Sequence, residues 1–162
     1  MRQKHSYFAK YLPKRLEIMG TKNVVCPECS SVNAVEIDVE SHIVECSQCK
    51  GDLSDPFTLD VSDDACMKHI TENDIAVFVD FYSTTCGPCM AMYEDYEDAA
   101  LGFGMKVRFL KVNAEKYQLV AKEYGVTGLP TIIAFKGGKE VDRVSRQLSL
   151  VELTMWADRL LV

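Results

Sequence analysis

The chain has 162 residues, 48% of them hydrophobic and 26% charged, with a formal net charge of -6. That length holds one ordinary domain and a small companion, and the composition is that of a soluble globular protein. The excess of acid argues against nucleic acid or an anionic membrane as the main partner, and no apolar run is long enough to cross a bilayer.

Residues 1–22 carry Arg2, Lys4, Lys10, Lys14, Arg15 and Lys22 against the single acid Glu17. Tyr7, Phe8, Tyr11 and Leu12 recur at helical spacing before Pro13, so a short amphipathic helix is possible there. Two readings stand: a docking arm for an acidic partner, or a frayed leader. The apolar run is too short for a signal-peptide core, so the expected compartment is the reducing cytoplasm, where cysteines serve metal or redox chemistry.

Six of the seven cysteines fall into C-x-x-C pairs: Cys26/Cys29, Cys46/Cys49 and Cys86/Cys89. The first two pairs lie in a compositional island, residues 23–55, with sixteen residues between them. That is zinc-ribbon spacing. Each C-x-x-C turn points two thiolates at one ion, and a closed tetrahedral zinc site needs four. Two disulfides or a redox-switched metal site are the alternatives. Ala34–Asp38 and Ile43–Glu45 alternate like a short two-stranded ribbon, and so small a unit takes most of its folding energy from the metal. Glu28, Glu36, Asp38, Glu40, Glu45, Asp52 and Asp55 face one cation, Lys50, a sign unsuited to binding phosphates. His42 reads as a surface residue.

Gly51–Pro56 is turn-rich and marks a boundary. Beyond it, 57–59 reads as a short strand and 62–72 as a helix capped by Ser62, with Cys66 a small core residue. Ile75–Tyr82 reads as a buried strand and Met90–Ala100 as a helix whose Glu94, Asp95, Glu97 and Asp98 face solvent. A strand at 107–112 follows, then Asn113 as cap for a helix at 116–124 stopped by Gly125. A strand at 131–135, a Gly137-Gly138 hairpin into 139–144, and a Ser149–Glu152 capping box opening the last helix complete the pattern. This alternation predicts an α/β fold, a central mixed sheet with helices on both faces. The chain thus divides into a basic arm (1–22), a zinc ribbon (23–55) and a larger α/β domain (56–162). Cys86 falls at a helix N-terminus, where unpaired N–H groups and the helix dipole favour a thiolate.

Residues 57–162 resemble thioredoxin in Val79-Asp80-Phe81-Tyr82, Cys86-Gly87-Pro88-Cys89, Lys111-Val112-Asn113, Tyr124-Gly125-Val126, Gly128-Leu129-Pro130-Thr131 and Phe135-Lys136-Gly137-Gly138. With the ribbon in front, 24–162 resembles the zinc-ribbon type of that family, often called thioredoxin 2. The resemblance implies a protein-disulfide reductase in which Cys86 attacks a substrate disulfide and Cys89 resolves the mixed disulfide. It implies that Asp80 lies under the pair as proton acceptor with Lys111 beside it; a solvent-facing strand carboxylate is the alternative. It implies a cis Leu129-Pro130 bond, with Leu129 pairing with substrate through its backbone, against an ordinary trans proline. Thr85, Gly87 and Pro88 complete the implied substrate rim, and Pro88 also stiffens the turn. The implied partners are disulfide-containing proteins and a thioredoxin reductase, and the implied state is a monomer. The chain departs from the family at Thr85, where a Trp is usual, and at Tyr82, Met90 and 144–147, so the docking rim differs from the family's. A rival function is a zinc-binding interaction module from which oxidation releases the metal.

Overall fold

A computed structural model of the chain describes residues 20–37 and 43–162. Residues 1–19 of the basic arm, the helix expected there, and His42 lie outside the described residues. Two sheets are present. The small one is a hairpin of β1 (Thr21–Val25) and β2 (Val32–Glu36). The large one contains β3 (Leu59–Asp60), β4 (Ala76–Tyr82), β5 (Val107–Asn113), β6 (Thr131–Lys136) and β7 (Lys139–Val144), in the order β3-β5-β4-β6-β7. The first three strands run parallel, and β6 and β7 pair antiparallel, which is the mixed sheet that the alternation predicts.

Strand alternation divides the core. Ala76 and Phe78 of β4 and Phe109 of β5 pack on one face under α2 (Gly87–Leu101) and α4 (Leu150–Leu161), with Met92, Tyr96, Leu153 and Trp156. Val77, Val79, Phe81, Leu110 and Val112 pack on the other face against α1 (Asp63–Glu72) and α3 (Leu119–Glu123), where Cys66 is fully buried. Asp80 belongs by alternation to the α2 face, and in the β4–β5 register it stands opposite Lys111.

Local chemistry explains the element ends. Ser62 caps α1 by accepting from the Ala65 N–H, and Ser149 and Glu152 form the expected capping box of α4. Gly137 and Gly138 have φ of +55° and +75°, the left-handed pair that closes a two-residue hairpin. The helix expected at 116–124 shrinks to Leu119–Glu123, because the Asn113 carboxamide accepts from the N–H groups of Glu115 and Lys116 and holds a turn instead. The ribbon strands also differ from expectation. Residues 32–36 pair with 21–25, not with 43–45, whose second knuckle keeps only a bridge from Glu45 to Asp52. The sequence island hid this because the partner strand begins inside the stretch read as the basic arm.

The stretch 51–56 is no loose linker. Leu53 is fully buried with Val24, Val35 and Ile75. Arg108, at the start of β5 and 3% exposed, donates to the carbonyls of Leu53 (2.9 Å) and Asp55 (3.0 Å). Asn73, just past α1, accepts from the Val25 N–H at 2.8 Å, and Asp74 exchanges two hydrogen bonds with the backbone of Asn23. The ribbon is therefore fastened to the end of the sheet where β4 and β5 begin. His69 beside this seam accepts from the Asn73 side chain, and burial pushes its imidazole pKa down to about 3, so it stays neutral.

Arg108→Met would keep bulk but leave two carbonyls without their charged donor, and should lower unfolding free energy in urea by about 3 kcal/mol. A loss under ~0.5 kcal/mol, the range of ordinary surface changes, would show that the seam does not depend on this side chain.

Candidate active site and cysteine cluster

Helix α2 begins at the cysteine pair. Cys86 is its N-cap, and its sulfur accepts from the Cys89 N–H at 3.2 Å. Pro88 sits in the first turn, where its missing N–H would have no helical partner. Cys86 and Cys89 are joined as a disulfide, with Cα atoms 5.2 Å apart. Cys86 is half-buried and Cys89 only 2% exposed, so one sulfur faces the surface and the other the core. Gly87, Thr85 and Met90 are exposed around them. The Thr85 hydroxyl donates to Glu115 at 2.9 Å, so an acid from the loop after β5 lies beside the residue that precedes Cys86.

The Leu129-Pro130 bond is cis, with Pro130 buried and Leu129 half-buried. The Thr131 hydroxyl donates to the Gly128 carbonyl at 2.7 Å and fixes the turn. Gly128 and Leu129 also line a cleft of about 390 Å³ with Ala114, Glu115, Leu119 and Lys122.

Asp80 is 4% exposed, and its Oδ1 has no hydrogen-bond partner. Burial raises its carboxyl to about 7, with Lys111 opposing the shift and Asp60 adding to it. Lys111 is close in register but is not ion-paired to Asp80. Its ammonium lies 2.5 Å from Glu97, 3.1 Å from the Tyr93 hydroxyl and 3.5 Å from Asp60, over the Tyr93 ring. Glu97, expected on the solvated side of α2, instead turns to this cluster and also accepts from the Thr58 hydroxyl at 2.7 Å. Sequence reasoning missed Glu97 and Tyr93; only their i,i+4 spacing on one helix face could have hinted at a shared partner.

At the other end of the sheet, Cys26, Cys29, Cys46 and Cys49 bring their sulfurs within 4.8 Å of one another. Cys26–Cys49 and Cys29–Cys46 sulfur distances are 3.6 and 3.7 Å. Four sulfurs around one zinc at the usual bond length stand about 3.8 Å apart, so the cluster fits a tetrahedral ion. The two knuckles repeat one geometry. Ser30 and Lys50 both take positive φ, and the N–H groups of Glu28 and Gln48 point at Cys26 and Cys46, each at 3.4 Å.

A family model described as Thioredoxin matches residues 57–159. "Thioredoxin 1" of Nostoc sp. is 34% identical over 84 residues, covering 52% of this chain and 78% of that protein. "Thioredoxin M4, chloroplastic" of Arabidopsis thaliana is 31% identical over 102 residues, covering 63% of this chain and 53% of that protein. A solved mutant thioredoxin from Halobacterium salinarum NRC-1 superposes with a TM-score of 0.58 at 27% identity, covering 64% of this chain and 90% of that one. With the cysteine pair at the start of α2, these matches define a thiol–disulfide oxidoreductase. The chain belongs to the thioredoxin family. The cysteine cluster lies outside the residues that the family model matches. Among the described residues no helix is long and apolar enough to cross a membrane.

The Asp80 carboxyl yields a stability prediction. The folded protein binds its proton more tightly than the unfolded chain does, near 7 against 3.8. Its cost is therefore absent below pH 3.8, grows as pH rises, and levels off above pH 7 at about 4 kcal/mol. Asp80→Asn should gain most of that at pH 8 and nothing at pH 3.5, as read by urea unfolding. Equal effects at both pH values would refute a buried, proton-retaining carboxyl.

Proposed function

We propose that the protein is a cytoplasmic, monomeric protein-disulfide reductase. The single observation that carries this reading is the asymmetry of the pair: a surface sulfur capping α2 and a core sulfur one turn on, on the sheet face that holds the buried Asp80. The Cys86 thiolate attacks one sulfur of a substrate disulfide, and the other sulfur leaves as a thiolate. Cys89 then gives its proton to the Asp80 carboxylate and attacks Cys86, expelling the second substrate thiol and closing the Cys86–Cys89 disulfide. Two electrons have passed to the substrate, and an NADPH-dependent thioredoxin reductase returns the pair to the dithiol. Leu129, before the cis Pro130, offers its backbone to an extended substrate segment, and Thr85, Gly87 and Pro88 form the facing rim.

Cys26, Cys29, Cys46 and Cys49 are the residues that would hold zinc. Bound there, the ion closes the ribbon and contributes folding energy rather than redox chemistry. The exposure of Cys29 and Cys49 favours a second reading, in which oxidation of these thiols releases zinc and alters a binding surface.

Reduction of insulin disulfides with NADPH and thioredoxin reductase tests the main reading. Wild type should turn over, Cys86→Ser should lose at least a hundredfold, and Cys89→Ser should accumulate mixed disulfides; an inactive wild type would sink it. Zinc analysis should find one ion per chain, lost in Cys46→Ser. In the Cys86→Ser, Cys89→Ser double variant, zinc that survives peroxide would remove the second reading.

A further inference from the structure

The ammonium of Lys111 has three protons to donate. Two are taken by hydrogen bonds, to Glu97 Oε1 at 2.5 Å and the Tyr93 hydroxyl at 3.1 Å, and Asp60 Oδ2 stands 3.5 Å away as a further ion-pair partner. The Tyr93 ring centroid lies 4.2 Å from the nitrogen. Each acceptor is itself anchored, Glu97 by the Thr58 hydroxyl and Asp60 by the Tyr82 hydroxyl at 2.8 Å. Directly across the strand pair, Asp80 Oδ1 is buried with no partner at all. A buried carboxyl one register position from a buried ammonium would ordinarily be its ion-pair partner. Here the ammonium is hydrogen-bonded and ion-paired to other groups.

We propose that Glu97 is a positioning residue of the thiol–disulfide reaction: it tethers Lys111 to α2 and so withholds the ammonium from the Asp80 carboxyl. This rests on the reading of Asp80 as the acceptor of the Cys89 proton. An ion-paired Asp80 would stay ionised and have little affinity for that proton, whereas an unpaired one binds and releases it near neutrality. The charged and titratable groups on the elements around Asp80 are Asp60 on β3, Tyr82 on β4, Lys111 on β5, and Cys89, Tyr93, Tyr96 and Glu97 on α2; β6 presents Ile132 opposite it. The Tyr96 hydroxyl donates to the Phe78 and Leu110 carbonyls. Among the acids of this set, Glu97 makes the shortest contact to Lys111.

The test is an NMR titration of the Asp80 carboxyl in the disulfide form, where the pair's own thiols do not titrate. Glu97→Gln should move the Asp80 midpoint down by about one pH unit as Lys111 swings across. The combined Glu97→Gln, Lys111→Met variant should lose that downward shift. Tyr93→Phe, which keeps the ring and deletes one acceptor, should shift the midpoint down by less and serves if Glu97→Gln folds poorly. A midpoint unchanged or raised in both Glu97→Gln and Tyr93→Phe would overturn the proposal. The parent reading is judged separately: if Asp80→Asn leaves the pH profile of insulin reduction unchanged, Asp80 is not the acceptor, whatever its midpoint does.

Discussion

The constraint on which the active end depends is a carboxyl held almost wholly out of water, 4% exposed. Asp80 sits midway along the central strand, under α2, with one oxygen left without a donor. Such a group destabilises the fold at neutral pH, and nothing in the packing of Phe78, Val79 or Phe81 requires it. In the proposed mechanism its presence makes sense through the sulfur pair on the helix above. A thiol that must lose its proton away from solvent needs an acceptor of matched affinity, and a carboxylate in its ordinary range is too weak a base for the task. The burial that costs stability is what raises that affinity.

The same strand carries the companion unit at its other end. Asn73, Asp74 and Arg108 fasten the ribbon where β4 and β5 begin, while Cys86 follows the end of β4, a strand length of about 20 Å away. The four clustered sulfurs are thus well out of reach of the Cys86–Cys89 pair. Within one chain the two sets are separated by about the length of β4, and β4 and β5 run between them. Arg108 and Lys111, on alternate faces of β5, bracket that stretch: one binds the ribbon backbone and the other faces Asp80.

Much of this was legible in the chain. The strand–helix order, the Ser149 capping box, the Gly137-Gly138 turn and the three cysteine pairs are local signals, each written within a few residues. Burial of the strand that carries Asp80 was readable from the apolar run Ile75–Tyr82. What was not legible depends on which side chains a three-dimensional contact makes available. Lys111 in sequence is a single cation on a strand, equally suited to Asp80 or to any acid on α2; the choice of Glu97 is set by the height of α2 over β5. The ribbon's partner strand was hidden because Thr21–Val25 has no periodicity that separates it from the basic residues before it. Arg108 looked like an ordinary strand residue, since its partners are carbonyls of a turn 53 and 55 positions earlier.

The departures from the family gather at the rim and leave the buried apparatus intact. Thr85 gives up a broad aromatic surface but brings Glu115 to within a hydrogen bond of the residue before Cys86. Glu115 is fixed from both sides, since its N–H donates to Asn113 while its carboxylate accepts from Thr85. A flat apolar contact tolerates many substrates, because burial of area is non-directional. A fixed carboxylate is directional and signed, favouring a cation and repelling an acid beside the scissile disulfide. Replacing one by the other exchanges a broad apolar contact for a signed, directional one at the surface beside Cys86.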